Sequence, residues 1–352
     1  MDLAIIGMNS IGIDLYLTLK KKCSRVYLIG KEDEPGMAIN QHAITLRKND
    51  VNNIISIVNE NIKSRCILYF TNDIYTDLIM EEHIRENIWF NENIIYYGID
   101  YAFYSKMRKK ESYHGFLEKY GLNTPASYDS PSLAGELEFP IICKYNGIGN
   151  ENYKYKNKLI MTRAEFEKEI TQDHISAYIF QKYYPKEDYS QYSYGCFVNG
   201  GEILADIYVR QVGQYPKGVS TLVIEEKERP DDFIISVGNL LRAEAYSGFI
   251  EFEILRNEDN IVVIDINPRP WGWFYILNFK YRNFPELASM TSLIPVEFKK
   301  TGIVWVNYNR MAAQLVTERS FGIVKHIRIN QSLFNSLYFA GLFLKRRLAA
   351  RL

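Results

Sequence analysis

Near the amino terminus, apolar residues fall into short unbroken runs separated by stretches of helical period. "LAIIG" is followed by "MNSIGIDLYLTLKKK" and then "SRVYLIG". A short apolar run bounded by glycine reads as a buried strand, and recurrence every three to four residues reads as an amphipathic helix, so the opening predicts a βαβ unit. "CILYF" and "IIYYG" predict further strands alternating with helical stretches up to about residue 98, an α/β domain over residues 1–98. Gly7 and Gly12 give GxxxxG, which lacks the spacing of a dinucleotide fingerprint and has no lysine after it, so a tight turn is the expectation.

The texture changes at residue 99. "SKMRKKESYHGFLEKYGLNTPAS" predicts a helix stopped at Gly121, with Pro125 beyond it. "FPIICKYNG" and "ISAYIFQKYYP" predict strands, and "YSQYSYGCFVNGGEILADIYVRQ" predicts a hairpin turning at "NGG". "RPDDFIISVGNLLRAEAY" is helical, and "EFEILRNEDNIVVIDINPRPWGW" reads as a second hairpin. After about residue 300 the chain reads as mainly helical.

The second hairpin carries the chemistry. Centred on Asp259, it sets Glu253 opposite Asp265, Glu251 opposite Asn267 and Leu255 opposite Val263. Side chains alternate between faces, so these six share one surface while Phe252, Ile254, Ile264 and Ile266 share the other. Like charges opposed across a sheet are destabilising, which calls for a cation over the patch. Hard oxygens without His or Cys nearby favour Mg²⁺ over zinc, and magnesium bound this way implies a nucleotide phosphate. A solvated acidic face paired with lysines is the alternative. The rigid turn that follows holds Arg269, whose fork suits a carboxylate or phosphate.

Composition narrows the partners. Lys+Arg and Asp+Glu both total 42 in 352 residues, so no global field points to nucleic acid. The 27 tyrosines are read as compositional bias rather than as a sugar platform. Cys23, Cys66, Cys143 and Cys196 stand apart with no CxxC pair and read as reduced, buried thiols. The five histidines stand singly and read as structural or surface residues, and Trp271 and Trp273 as core or pocket wall. No run is long and apolar enough to span a bilayer, and a cytoplasmic protein is expected.

These residues resemble the ATP-grasp superfamily, and within it the carboxylate–amine ligases. In that family a Glu is followed twelve residues later by Glu or Asp and then x-Asn-x-Arg, as Glu253, Asp265, Asn267 and Arg269 are here. The family's first nucleotide lysine begins a helix eleven residues before a glycine, as Lys110 stands before Gly121, with Lys106 a rival. Its second lies on a strand after an apolar-Pro pair, matching Lys144 in "FPIICK".

The resemblance, which covers roughly residues 1–300, implies a pre-ATP-grasp, Rossmann-like domain followed by an α+β ATP-grasp domain over 99–300, with a lid at about 128–182. A mainly helical extension over 301–352 completes the fold class. It also implies that Gln181 and the main chain of Lys182 and Tyr183 hold the adenine, that Glu187 or Asp188 meets the ribose, and that Leu255 packs under the base. Glu253, Asp265 and Asn267 would ligate two Mg²⁺ ions, with Mn²⁺ able to substitute, and Lys110 and Lys144 would neutralise phosphates. Arg210, in "RQVGQYPKGVSTLV", would join Arg269 at the γ-phosphate or substrate. The implied reaction joins a carboxylate to an amine through an acyl phosphate, in small-molecule, peptide or surface-glycan chemistry. A silent ATP-binding module and a kinase acting on a hydroxyl are the alternatives. The apolar "SLFNSLYFAGLFLKRRLAARL" predicts a helix that docks on the core or on a second copy in a homodimer, or that lies on the inner face of an anionic membrane.

Overall fold

The computed structural model describes residues 1–39, 42–47, 51–108, 110–128, 137–145, 157–170, 175, 178–216, 218–290, 296–318 and 331–349. The side chains of residues 108, 110–112, 331–332, 343 and 345–349 lie outside that description.

Strands β1 (Asp2–Ile6), β2 (Val26–Lys31), β3 (His42–Leu46), β4 (Cys66–Phe70) and β5 (Ile94–Tyr97) pair in parallel, in the order β3-β2-β1-β4-β5. The order reverses beside β1, so the carboxyl ends of β1 and β4 frame the crevice where open α/β sheets receive ligands. The turn after β1 needs both of its glycines. Gly7 adopts φ +90°, and a Cβ on Gly12 would lie 2.2 Å from the Gly7 carbonyl oxygen. The side chain of Asn9 then caps helix α1 (Ser10–Leu19) by accepting from the amides of Ile11 and Gly12.

Two antiparallel sheets follow. The smaller contains β6 (Ser127–Tyr128), β7 (Ile141–Tyr145), β8 (Asn157–Ile160) and β9 (Tyr178–Lys182), in the order β6-β9-β7-β8. The larger contains β10 (Ser190–Asn199), β11 (Glu202–Gln214), β12 (Ser220–Glu225), β13 (Gly248–Arg256), β14 (Ile261–Asn267) and β15 (Val304–Val306), in the order β14-β13-β10-β11-β12-β15. The hairpin joining β10 to β11 turns at Gly200 and Gly201, both at positive φ, as "NGG" predicts.

The parallel sheet is joined to the larger sheet by two shared hydrophobic clusters. One contains Ala4, Ile29 and Phe70 with Tyr194, Phe252 and Ile254; the other contains Leu3, Ile5 and Tyr69 with Phe197, Phe249 and Trp271. The smaller sheet instead has its own modest core, built on Ile141, Cys143, Phe166 and Phe180.

Several expectations need correction. The helix expected from Ser105 onward is present: residues Tyr101–Arg108 and Lys110–Glu118 are helical, beginning a turn earlier than expected, with Lys109 outside the described residues. The carboxyl-terminal region contributes β15 to the larger sheet as well as helices, because "VWV" is a β-favouring run that finds β12 as a partner. Strand β3 had no glycine-bounded apolar run to announce it. Cys23 is only half-buried, whereas Cys66, Cys143 and Cys196 are buried. The terminal helix, Gln331–Ala349, docks on the protein: Leu342 is buried, and the Asn335 side-chain amide donates to Asp14 at 2.8 Å. Among the described residues, no helix is long and apolar enough to cross a membrane.

Candidate active site

Strands β13 and β14 bring the acidic residues together in the expected pairs: Glu253 faces Asp265, and Glu251 faces Asn267. Beyond that the register slips. Ile254 pairs with Val263 and Leu255 with Val262, so Ile264 is an extra residue bulged from β14. Leu255 keeps its place on the carboxylate face, opposite Gln191 of β10, but its expected partner Val263 does not. The bulge has a use. It turns the Ile264 carbonyl toward Lys144 of the smaller sheet, whose Nζ donates to it at 2.9 Å.

Glu251 is the hub of this face, buried to 4% exposure. Its Oε1 accepts from the Trp273 indole at 3.0 Å and its Oε2 from the Asn267 amide nitrogen at 3.1 Å. The same nitrogen donates to Glu253 Oε1 at 3.0 Å, and Gln191 donates to Glu253 Oε2 at 3.4 Å. Burial pushes the Glu251 carboxyl up to about 7, against the lowering pull of Arg269. Glu253 is pushed up to about 8, by burial first and then by the charges of Glu251 and Asp265, with Asn267 and Lys144 opposing. Glu251 and Glu253, side by side and both raised by burial, therefore favour protonation until a cation arrives.

The donor set fits magnesium. Among the described residues, no three Asp, Glu, His or Cys side chains already form a closed cage. Magnesium seldom needs one, because it binds through one or two carboxylates and completes its shell with water and phosphate oxygens. Glu253 and Asp265 can supply those carboxylates. Asn267 departs from expectation, since its nitrogen faces the two Glu side chains while its oxygen accepts from Arg269 Nη2 at 3.1 Å. It can ligate only after the amide turns over.

Arg269 is at the site, but its fork is filled. Nε and Nη2 donate to the two oxygens of Asp73 at 2.7 and 2.9 Å. Asp73 opens the helix after β4, at the mouth of the crevice between β1 and β4.

Arg210 does not join this set. It pairs with Tyr192 across β10 and β11, which puts it on the face opposite Ser193 and Glu253, and its Nε donates to Glu226 at 2.7 Å. Lys106 is likewise committed elsewhere, 2.6 Å from Glu244. The Lys110 side chain lies outside the described residues, as does the loop at 146–156. Its helix nevertheless reaches the site, because Tyr113, one turn further on, is buried beside Asp265 and Glu253. Burial and those two charges raise its phenol, whose oxygen has no hydrogen-bond partner among the described residues.

At the hinge, the Gln181 amide nitrogen donates to Ser127 at 3.2 Å, while its buried Oε1 has no partner among the described residues. That lone acceptor suits an amino group. The Lys182 N–H is already donated to Ala126 at 2.9 Å, leaving the Lys182 carbonyl and the Tyr183 N–H as the hinge's main-chain groups. Glu187 and Asp188 are exposed and line a cleft of about 780 Å³ with Tyr192, Glu226 and Arg256. Tyr192 and Arg256 belong to the face opposite Glu253, so neither acid touches the carboxylate patch.

Glu251, Tyr113 and Asp73 were not singled out as site residues. The hairpin register already placed Glu251 on the patch. Nothing in the sequence links Asp73 to Arg269, 196 residues away.

Two antiparallel sheets, the larger ending in an acidic hairpin, beside a parallel-sheet domain define the ATP-grasp fold, and the chain has that fold. It is similar to an N5-carboxyaminoimidazole ribonucleotide synthetase in complex with ADP, at 15% identity and a TM-score of 0.68 over 90% of this chain and 85% of the other. A biotin carboxylase from Campylobacter jejuni in complex with β-γ-ATP matches at 13% identity and 0.63, over 84% and 73%. An L-amino acid ligase from Bacillus licheniformis matches at 16% and 0.59, over 84% and 75%. No family model and no curated protein matches the sequence.

Proposed function

We propose that this chain is an ATP- and Mg²⁺-dependent ligase that joins a carboxylate to an amine through an acyl phosphate. The observation that carries the reading is Glu253 opposed to Asp265, with Glu251 beside them, on a face that Lys144 reaches from the lid. Similar structures that carry ADP or an ATP analogue support a nucleotide in this cleft.

Gln181 Oε1 would accept from the adenine amino group and Leu255 would lie under the base, whereas Glu187 and Asp188, which line the cleft on the opposite face, are not assigned to the ribose. Lys110 and Lys144 would neutralise phosphate charge, and Glu253, Asp265 and a turned-over Asn267 would hold two Mg²⁺ ions. Magnesium supplies charge neutralisation across the phosphate oxygens when bound. The substrate carboxylate enters at the crevice mouth, exchanges with Asp73 on the Arg269 fork, and is thereby oriented toward the γ-phosphorus. Its oxygen bonds to that phosphorus as the bond to ADP breaks. The amine nitrogen then bonds to the acyl carbon, and phosphate leaves with the electrons of the C–O bond and can take the amine's proton. Catalysis of this kind is positioning plus charge stabilisation.

An ADP-release screen over amino acids, small peptides and uronic acids, with Glu253→Gln as the blank, tests the reading. ADP and inorganic phosphate should appear only when acid and amine are both present. ADP release with a hydroxyl acceptor and no phosphate would establish a kinase, and nucleotide binding without any turnover a silent module.

A peripheral contact with an anionic membrane belongs to the same proposal. Helix 331–349 turns Phe334, Leu337, Tyr338 and Leu344 outward, exposed by 61%, 60%, 38% and 60%. Residues 331–352 contain no acid but include Lys345, Arg346, Arg347 and Arg351, a charge balance suited to anionic headgroups. Full-length protein should sediment with phosphatidylglycerol vesicles and not with phosphatidylcholine vesicles. Equal partitioning would dismiss the contact.

A further inference from the structure

A second cavity, of about 520 Å³, opens at the outer edge of the parallel sheet, away from the carboxylate face. That volume lies within the range of small-molecule sites. Its walls come from β5, the helix Asp73–Glu86, the start of the helix Tyr101–Arg108 and the turn at 244–247. The floor is a seam where Gly98 and Ser247 form an isolated antiparallel bridge. A Cβ on Gly98 would lie 2.2 Å from Phe70 and 2.8 Å from the Tyr96 hydroxyl, so this backbone is fixed by close packing.

The lining is aromatic, and its polar atoms are mostly acceptors. His83 stands edge-on to Trp89 at 4.9 Å and to Tyr101 at 5.8 Å, and Trp89 meets Tyr96 edge-on at 5.4 Å. The His83 Nδ1 lies 2.6 Å from the Ile88 carbonyl oxygen, which can only accept, so Nδ1 carries the proton. In the neutral ring Nε2 is then an acceptor. The Tyr96 hydroxyl is buried and has no hydrogen-bond partner among the described residues. Asp100 accepts from the Phe103 amide with Oδ1 at 2.7 Å and has no ion-pair partner among the described residues. Glu244 is compensated by Lys106, and among the described residues no Lys or Arg lines the cavity.

We propose that this cavity binds an organic ammonium cation, with ring faces and Asp100 supplying the attraction. Asp100 and Tyr101 are exposed and Tyr96 is stacked between Phe70 and Phe90, so the ring attraction comes from His83, Trp89 and Tyr101 at a mouth open to water, where a cation over an aromatic ring is still favoured, by about 0.5–1 kcal/mol. A neutral aromatic ligand would gain the stacking but would leave Asp100 without a charged partner. An anion would meet Asp100 and gain nothing. The turn at 244–247 runs directly into Gly248, the first residue of the strand that carries Glu251 and Glu253.

The chain contains its own reporter. Of its four tryptophans, Trp271, Trp273 and Trp305 are exposed by only 1%, 1% and 4%, while the cavity residue Trp89 is half-buried. Full-length protein is titrated with phenethylammonium and with the neutral phenethyl alcohol, read by intrinsic fluorescence and in parallel by calorimetry. The cation should saturate at concentrations about two- to fivefold below the alcohol. Asp100→Asn keeps an oxygen for the Phe103 amide and so preserves the helix cap while removing the charge. It should cost the cation most of that advantage and leave the alcohol unchanged. Trp89→Phe should abolish the optical signal while calorimetry still detects binding. Equal affinity for alcohol and ammonium, or no saturable binding of the ammonium into the high-millimolar range, would overturn the assignment.

Discussion

At the scale of single residues, the site is a set of carboxylates held together at an electrostatic cost. Glu251 and Glu253 titrate near 7 and 8 in the folded chain, against an ordinary value of 4.5. Between those limits the native state binds more protons than the unfolded chain, so these groups make stability fall as pH rises from about 4.5 through 8. Magnesium with a nucleotide should reverse the trend by favouring the ionised forms. Thermal denaturation is expected to show a melting temperature that declines from pH 6 to pH 8.5 without ligand, and a stabilisation by Mg·ATP that grows over the same interval. Glu253→Gln should flatten both. A ligand-free melting temperature indifferent to pH would remove the electrostatic account. Most of this patch was legible, because alternation along two strands needs only one register to place Glu251, Glu253, Asp265 and Asn267. The Asp73–Arg269 pair was not, since it depends on how two sheets meet.

At the scale of elements, two single-residue bulges decided what could be read. A regular hairpin about Gly200 and Gly201 would set Arg210 opposite Gln191, on the carboxylate face. The register instead shifts between Phe197 and Val198, leaving Leu204 as the extra residue and putting Arg210 opposite Tyr192. A one-residue slip exchanges faces, so a plausible phosphate ligand becomes the partner of Glu226 on the other side. The Ile264 bulge similarly moved the partner of Leu255 while presenting a carbonyl to Lys144. Neither "ILA" nor "VIDI" contains the glycine that often announces such a kink.

Packing between elements makes its own prediction at Gly195, which lies opposite Glu251, where an added Cβ would sit 2.2 Å from the Trp271 ring. Trp271 and Trp273 belong to the turn that carries Arg269 and supplies the indole donor to Glu251. Gly195→Ala should therefore destabilise the fold by about 1–3 kcal/mol in chemical denaturation. It should also weaken nucleotide binding by displacing that turn. A neutral result would mean that Trp271 has room to move.

At the scale of the whole molecule, three layers divide the work. The parallel sheet and the larger antiparallel sheet share two cores and form one base, and the smaller sheet, read as a lid in the proposed function, has a small core of its own. The acidic hairpin lies where base and lid face each other, and the β1–β4 crevice opens beside it. The α/β opening was legible from its unbroken apolar runs. The smaller sheet's role was legible only through the family resemblance, and where helix 331–349 docks was not legible, because it joins the buried Leu342 to a polar contact between Asn335 and Asp14, 321 residues apart.

The central claim is that Glu253 and Asp265 jointly hold a magnesium-bound nucleotide triphosphate, and calorimetric titration with a non-hydrolysable ATP analogue addresses it most directly. The account predicts binding that requires Mg²⁺ and that weakens at least about tenfold in Glu253→Gln and in Asp265→Asn, as expected when a residue holding a metal is lost. Arg210→Ala, on the far face, should bind the analogue as the parent chain does. Binding of equal strength without Mg²⁺ and in both carboxylate variants would contradict the account.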